Sequence, residues 1–459
     1  MKETAHDFIA KGTVKAEDKE HRRKINFNIG KYNAAVPNGK AQFYDLDLAR
    51  EKAKNLKWKA IGTLDKQLQD FEAAILKRGA KVIWAEDAQQ AKEAIRKICE
   101  EKACRSIVKS KSMVTEEIHL NEFLEEQGIE SIETDLGEYI QQLDGEPPYH
   151  IVTPAMHKSK EDVAKLFAEK LGTDPRATPE QLTLVARKIL RDKYVNAEIG
   201  ITGANFIIAD IGAIAVTENE GNARLTAAWP RTHIVIAGIE KVIPSITDLA
   251  LFWPLLATYG TGQKMTVYNS IITGPRQYKE SDGPEDMIVI LLDNGRTQIL
   301  ANEKQRETLY CIRCGACLNA CPVYKNIGGH TYGTTYSGPI GSIITPHLKQ
   351  MGNWKHLSYA SSLCGNCTEV CAVKINLHEL LLETRHESVE EGYSSYSEKI
   401  AWRMWKRGML HRRWMNSFRG TFKGWVVNRL VKGWVKHRAP VQFPKRSFNQ
   451  LWKEKYGNR

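Results

Sequence analysis

The chain has 459 residues, 42% of them hydrophobic and 26% charged, with a formal net charge of +12. This composition excludes a disordered chain and a membrane bundle, and the length leads us to expect roughly two to four domains. The charge is not a property of the body, because residues 399–459 carry 17 Lys and Arg against Glu454 alone. The basic excess therefore describes a tail.

Met1–Asp7 has no apolar signal-peptide core. The longest apolar stretches, such as Leu249–Gly260, fall far short of the ~20 residues of a membrane span. The expected location is cytoplasmic, or peripheral at the inner face of a membrane.

Residues 1–40 are polar and weakly patterned. They read as an extended N-terminal arm ending near Pro37-Asn-Gly39, with His21-Arg-Arg-Lys24 as a solvated turn. From 43 to 78 apolar residues recur at three- and four-residue steps (Leu56, Ala60, Leu64, Leu68, Phe71, Ile75), which predicts helix up to Gly79. Short apolar strands then alternate with amphipathic helices. The strands are at 81–84, 106–110, 131–134 and 149–153, and the helices at 87–103, 115–127, 136–143, 159–171 and 179–197. Such alternation argues for an α/β domain on a mostly parallel sheet. Phe206–Thr217 reads as two strands broken at Gly212. A strand at 233–237, a helix at 245–259 and strands at 266–273 and 287–292 complete a domain over 41–300.

Parallel sheets bind ligands in the loops at the carboxyl ends of their strands. Lys109, Ser110, Lys111 and Ser112 form one such loop, placing hydroxyls and ammonium groups ahead of a helix start, a candidate anion or substrate site. Thr202–Asn205, Thr217–Asn222 (with Asn219 and Asn222) and Arg231 are further candidates. The bland reading is that all of them are turn and capping residues. No nucleophile–base pair, Walker-type loop or dinucleotide fingerprint is present, so the catalytic residues are unassigned.

The chemistry is concentrated in residues 301–392. Cys311, Cys314, Cys317 and Cys321 stand two, two and three residues apart, followed by Pro322. This is the ligand run of a bacterial-type iron–sulfur site, whose fourth cysteine serves a second cluster. Residues 361–371 repeat the spacing as Ser361, Cys364, Cys367 and Cys371, with Ala372 in the proline position. Crossed ligation gives cluster I to Cys311, Cys314, Cys317 and Cys371, and cluster II to Cys321, Cys364 and Cys367. Cluster II then lacks a fourth thiolate. It is a four-iron cluster with a non-cysteine ligand such as Ser361, a three-iron cluster, or a cluster completed by another chain. Seven of nine cysteines committed in this way imply a reducing compartment. The Gly-rich stretch 328–341 reads as the loop spacing the two runs, with Tyr332 and Tyr336 packed on it.

Beyond 393 lies a tail with Trp402, Trp405, Trp414, Trp425, Trp434 and Trp452, six of the chain's eleven tryptophans. Phe422, Trp425, Val426, Leu430, Trp434 and Val435 fall at helical steps, and Lys423, Lys432 and Lys436 lie largely elsewhere on the wheel. The pattern suits packing on the body or on a partner subunit, or docking on a membrane surface. Nucleic-acid binding comes last, with no recognisable motif behind it.

The Lys109–Met113 loop, Glu133-Thr-Asp-Leu-Gly137, Thr217–Asn222 and the two cysteine runs together resemble the lactate-utilisation protein B family. The resemblance covers roughly 40–390. It implies a LUD domain similar in fold to the NagB/RpiA/CoA-transferase group, then a mainly helical two-cluster ferredoxin-like domain and a helical extension. It also implies [4Fe-4S] clusters, an electron-transfer role in oxidising L-lactate to pyruvate, and work with a cysteine-rich partner and a LUD-only partner. A quinone-linked acceptor is a further expected partner, reached through the tail. The family shares the three-cysteine second run, so Ser361 is not a decayed site. The rival reading makes the LUD domain a transferase- or isomerase-like enzyme with regulatory or structural clusters.

Overall fold

In the computed structural model, residues 5–411, 413–414, 418–435 and 438–457 are described. The chain divides into two units, Met1–Glu390 and Glu391–Arg459.

The first unit is built on a six-stranded sheet. Its strands are β1 (Lys81–Ala85), β2 (Ser106–Lys109), β3 (Glu130–Glu133), β4 (Ile199–Thr202), β7 (Thr232–Gly238) and β10 (Asp286–Leu292). They run in the order β1-β10-β7-β4-β2-β3, and every pairing is parallel. The central strands β4 and β7 are buried at every residue, as expected of a sheet covered on both faces. A second sheet of four short strands stacks beside it in the order β8-β5-β6-β9. Its members are β5 (Phe206–Ile208), β6 (Ala213–Glu218), β8 (Val242–Ile243) and β9 (Tyr268–Ile272). Gly200 is required in β4, because a Cβ there would lie 1.9 Å from the Thr226 carbonyl of the crossing helix.

Three expectations change. The N-terminal arm is not extended: it forms helices Ala5–Glu17 and Lys19–Lys40, the second capped by Asp18. Ile25 and Ile29 enter the core at four-residue spacing. His21 is buried rather than solvated, 2.8 Å from the Tyr149 hydroxyl. Only two core apolar residues in this helix gave periodicity little to detect.

Residues 149–153 form no strand. Pro147 and Pro148 precede them, and their backbone donors are used locally. Tyr149 N–H donates to the Pro154 carbonyl at 3.0 Å, while Val152 and Thr153 N–H donate to His150 Nδ1 at 3.1 and 3.2 Å. Conversely β4 and β8 were not foreseen, each being too short to show alternation.

The cysteine-bearing segment is made of short helices packed on the same core, among them Ala316–Ala320, Gly338–Leu348 and Leu377–Glu390. In the second unit, helices Tyr396–Leu410, Gly420–Leu430, Lys432–Val435 and Phe448–Tyr456 expose Trp402, Trp405, Trp425 and Trp452. The break at Val431 ends the helical repeat, and Lys436 lies outside the described residues. No helix among the described residues is long and apolar enough to cross a membrane.

Candidate iron–sulfur centre and adjoining cavity

The two cysteine runs fold as copies of one loop. Arg313 and Leu363 both have positive φ (61° and 54°), as do Gly315 and Gly365 (78° and 79°). Leu318 N–H donates to the Gly315 carbonyl as Thr368 N–H does to Gly365, at 3.0 and 2.9 Å. Cys321 and Cys371 N–H each reach the residue three before at 3.2 Å. The repeat extends to the ligand positions, where Arg313 N–H approaches Cys311 Sγ at 3.4 Å and Leu363 N–H approaches Ser361 Oγ at 3.1 Å. Ser361 thus occupies the place that Cys311 holds in the first run.

Cys311, Cys314, Cys317 and Cys371 line one small enclosed space with Ile340, Val373 and Ile375. Burial pushes the Cys314 and Cys371 thiols up to about 12, and each is also raised by Cys311. The Cys317 thiol is raised as well, by burial first and then by Cys311, Cys314 and Cys371. The other three form a separate set. Burial raises Cys367 to about 11, helped by Cys321 and Cys364, and burial raises Cys321, which also feels Cys364.

Buried thiols that oppose one another's ionisation need a cation to become thiolates. Backbone N–H groups are already aimed at sulfur: Tyr324 at Cys321 (3.5 Å) and Ile375 at Cys371 (3.3 Å). Four thiols around one space, with N–H donors to sulfur, fit an iron–sulfur cluster.

A second cavity, about 370 Å³, opens at the carboxyl ends of β2, β3, β4 and β7. Ser110, Lys111, Ser112, Asn219 and Asn222 all line it, as do Gly203, Ala204, Asn205, Thr217 and Glu218. Lys109 does not. It is fully buried, its ammonium 2.5 Å from Glu133 and 3.1 Å from Glu116. Strand alternation would put Lys109 and Lys111 on one face, but β2 ends at Lys109 and the turn after it carries Lys111 to the cavity instead. Lys111 Nζ donates to the Val152 carbonyl at 2.6 Å and lies 4.0 Å from Asp135. Arg231 is exposed beside Glu285, away from the cavity.

The cysteine segment closes this cavity with Arg313 and Tyr336, and Arg313 and Ile151 line both the cavity and the thiol-walled space. Arg313 is fixed by a buried ionic chain. Arg296 donates from Nη1 and Nη2 to the two oxygens of Glu117, at 2.9 and 2.7 Å, and from Nε to Glu240. Glu240 in turn lies 3.4 Å from Arg313, and the Tyr336 hydroxyl donates to Glu117 at 2.6 Å.

Lys241 also lines the cavity. Burial first, then Arg313, draws its ammonium down to about 8. Glu220, which lines the same cavity, is raised to about 7 by burial and Asp135. Sequence reasoning missed Arg313, Glu240 and Lys241. The available signal was a Glu-Lys pair inside the apolar run His233–Ile243.

Fold and site together define a LUD domain joined to a two-cluster iron–sulfur domain. The LUD domain model matches residues 68–292, and the 4Fe-4S dicluster domain model matches 307–375. The chain is 48% identical over 354 residues to lactate utilization protein B of Bacillus velezensis, covering 77% of this chain and 74% of that one. It is 48% identical over 367 residues to the protein of that name from Geobacillus sp. (78% and 77% covered), and 47% identical over 354 residues to that of Bacillus subtilis (77% and 74%). The chain belongs to the lactate utilization protein B family. A solved DUF162 family chain from Deinococcus radiodurans aligns over 50% of this chain and 98% of its own at 15% identity and a TM-score of 0.26.

Proposed function

We propose that this protein is the iron–sulfur electron-transfer subunit of a system that oxidises L-lactate to pyruvate. The observation that supports it most is the common wall. Arg313 and Ile151 line both the space enclosed by Cys311, Cys314, Cys317 and Cys371 and the cavity of the LUD domain. A ligand in that cavity would lie beside the first thiol set.

The residues divide the work. Cys311, Cys314, Cys317 and Cys371 hold one cluster. Cys321, Cys364 and Cys367 hold the other, with the Ser361 oxygen at the fourth position. Clusters so held take up and return one electron at a time, and two together accommodate the pair released by a two-electron oxidation. Backbone N–H donors and the buried Arg313 set their potentials. The chain works with a cysteine-rich partner and a LUD-only partner, and its basic aromatic tail brings it to an anionic membrane surface and a quinone-linked acceptor there.

The test is anaerobic reconstitution with both partners. Adding L-lactate should bleach the visible absorbance of the clusters, and an electron acceptor should restore it. Pyruvate formed without bleaching would overturn the reading.

One observation favours the rival, in which the LUD domain is itself a transferase- or isomerase-like enzyme. Lys241 and Glu220 line one cavity with protonation equilibria moved toward neutrality, a common property of catalytic groups. That reading expects turnover with no electron acceptor.

A further inference from the structure

Three side chains converge where the LUD domain meets the loop between the cysteine runs. One potential ligand atom from each of Glu146, His157 and His330 lies within 4.8 Å of the other two. None of the three lines the LUD cavity or the thiol-walled space. Glu146 and His157 flank the irregular segment that begins at Pro147. His330 arrives from the loop between the runs, which closes tightly on that segment: a Cβ at Gly329 would lie 1.8 Å from the Tyr149 carbonyl. The rings then pack together. Tyr149 stacks on His157 with centroids 4.4 Å apart and meets His330 edge-on at 4.9 Å, and the two imidazoles are themselves 4.9 Å apart.

The imidazoles are set up as ligands. His330 Nε2–H donates to the Pro147 carbonyl at 2.8 Å, which fixes the tautomer and leaves Nδ1 with its lone pair. A ring N–H tied to a carbonyl is the usual outer partner of a metal-bound histidine. His157 Nε2 lies 3.0 Å from Glu146 Oε2, and its Nδ1 is buried with no hydrogen-bond partner. A plain hydrogen bond to Glu146 therefore accounts for one nitrogen of His157, but for neither the other nitrogen nor the approach of His330. Burial favours both imidazoles neutral, and the His157 contact keeps Glu146 ionised, the states that metal binding needs. Lys158 also lies 3.0 Å from Glu146, but it is paired with Asp144 as well. A metal ion would take over the Glu146 contact and leave Lys158 with Asp144.

We propose that Glu146, His157 and His330 bind a divalent metal ion of the zinc class. Two imidazoles and a carboxylate are a donor set that zinc accepts, and the fourth position falls to solvent water, since the Glu146 side chain is 36% exposed. The set holds no thiol, which separates it chemically from the cluster ligands. The ion joins the LUD segment at 146–157 to the loop that spaces the two cysteine runs, and so fastens the cluster-bearing segment to the LUD domain. Zinc has no redox chemistry, so the site takes no part in electron transfer itself.

The experiment uses the full chain holding its clusters, kept without oxygen and equilibrated with zinc in a chelator buffer. Zinc and iron are counted together, X-ray absorption at the zinc edge reads the ligands, and hydrogen exchange follows residues 328–333. The wild type should take up one zinc per chain at unchanged iron content, with nitrogen and oxygen ligands, imidazole among them, and no sulfur. Zinc should also slow exchange at 328–333. His330→Gln and Glu146→Gln should each weaken zinc binding by more than the ~10–100-fold cost of removing an outer-shell partner, because each removes a ligand. The proposal is overturned if no zinc is held, if the zinc has sulfur ligands and so sits in the cysteine sets, or if both variants bind as wild type does. Should His330→Gln fail to fold, the more exposed Glu146→Gln decides alone. Zinc bound with nitrogen and oxygen ligands but without slower exchange at 328–333 would overturn the fastening role.

Discussion

Ser361 shows how one atom decides the character of a metal site. Its Oγ receives Leu363 N–H as Cys311 Sγ receives Arg313 N–H, so the loop is preserved and only the donor differs. A serine oxygen is harder and more basic than a thiolate and binds iron less firmly. Ser361→Cys should therefore make the second cluster more resistant to air. EPR of the air-exposed variant should show less three-iron signal than wild type, and equal signals would contradict the positional equivalence. Lys109 and Lys111 teach a related lesson. Both were legible as cations in a strand-end loop, but their roles diverge because the strand ends between them: Lys109 balances Glu133 and Glu116 in the core, and Lys111, past the end of β2, faces the cavity.

Elements meet at close approaches that permit only glycine. Gly329 has ordinary φ, but a Cβ there would lie 1.8 Å from the Tyr149 carbonyl, so the loop between the cysteine runs seats directly on residues 149–154. Gly365 is the opposite case, with φ of +79° and open space around it. Gly365→Ala should cost about 1–2 kcal/mol, the penalty of a left-handed residue. Gly329→Ala should cost clearly more, because backbone must move. Denaturant melts of the two variants compare them directly, and equal losses would contradict the seating. The helix Lys19–Lys40 is tied to the same loop through His21 and Tyr149. Burial draws His21 down from 6.5 to about 4. The unfolded chain thus binds a proton that the folded chain refuses. This histidine's contribution is intact above pH 6.5 and is lost as pH falls toward 4, by at most about 1.4 kcal/mol per unit of depression. Relative to His21→Gln, the wild type should lose stability between pH 7 and 4.5; a constant difference would contradict this. The alternating strands and helices after residue 80 were readable because period-two and period-3.6 patterns are strong there. The 149–153 segment was misread because apolar and β-branched residues suggested a strand, while its prolines and the His150 ring diverted the backbone hydrogen bonds.

At the scale of the whole molecule, the two cysteine runs were the most legible feature, since cluster ligation fixes residue type and spacing together. The cavity was legible only in part. Its strand-end loops could be read, but Arg313 meets Glu240 and Lys241 from more than 70 residues further along the chain, and no local pattern encodes that meeting. The second unit carries exposed Trp402, Trp405, Trp425 and Trp452 on a strongly basic segment. Truncation after Glu398 should abolish flotation with anionic vesicles, and unchanged flotation would contradict membrane docking. The central claim is that the two cysteine sets hold two redox-active clusters. It is tested most directly by counting iron and sulfide in protein purified without oxygen, with EPR before and after reduction. The account predicts about eight irons and the signals of two interacting reduced four-iron clusters. Absence of a cluster in either state would contradict it.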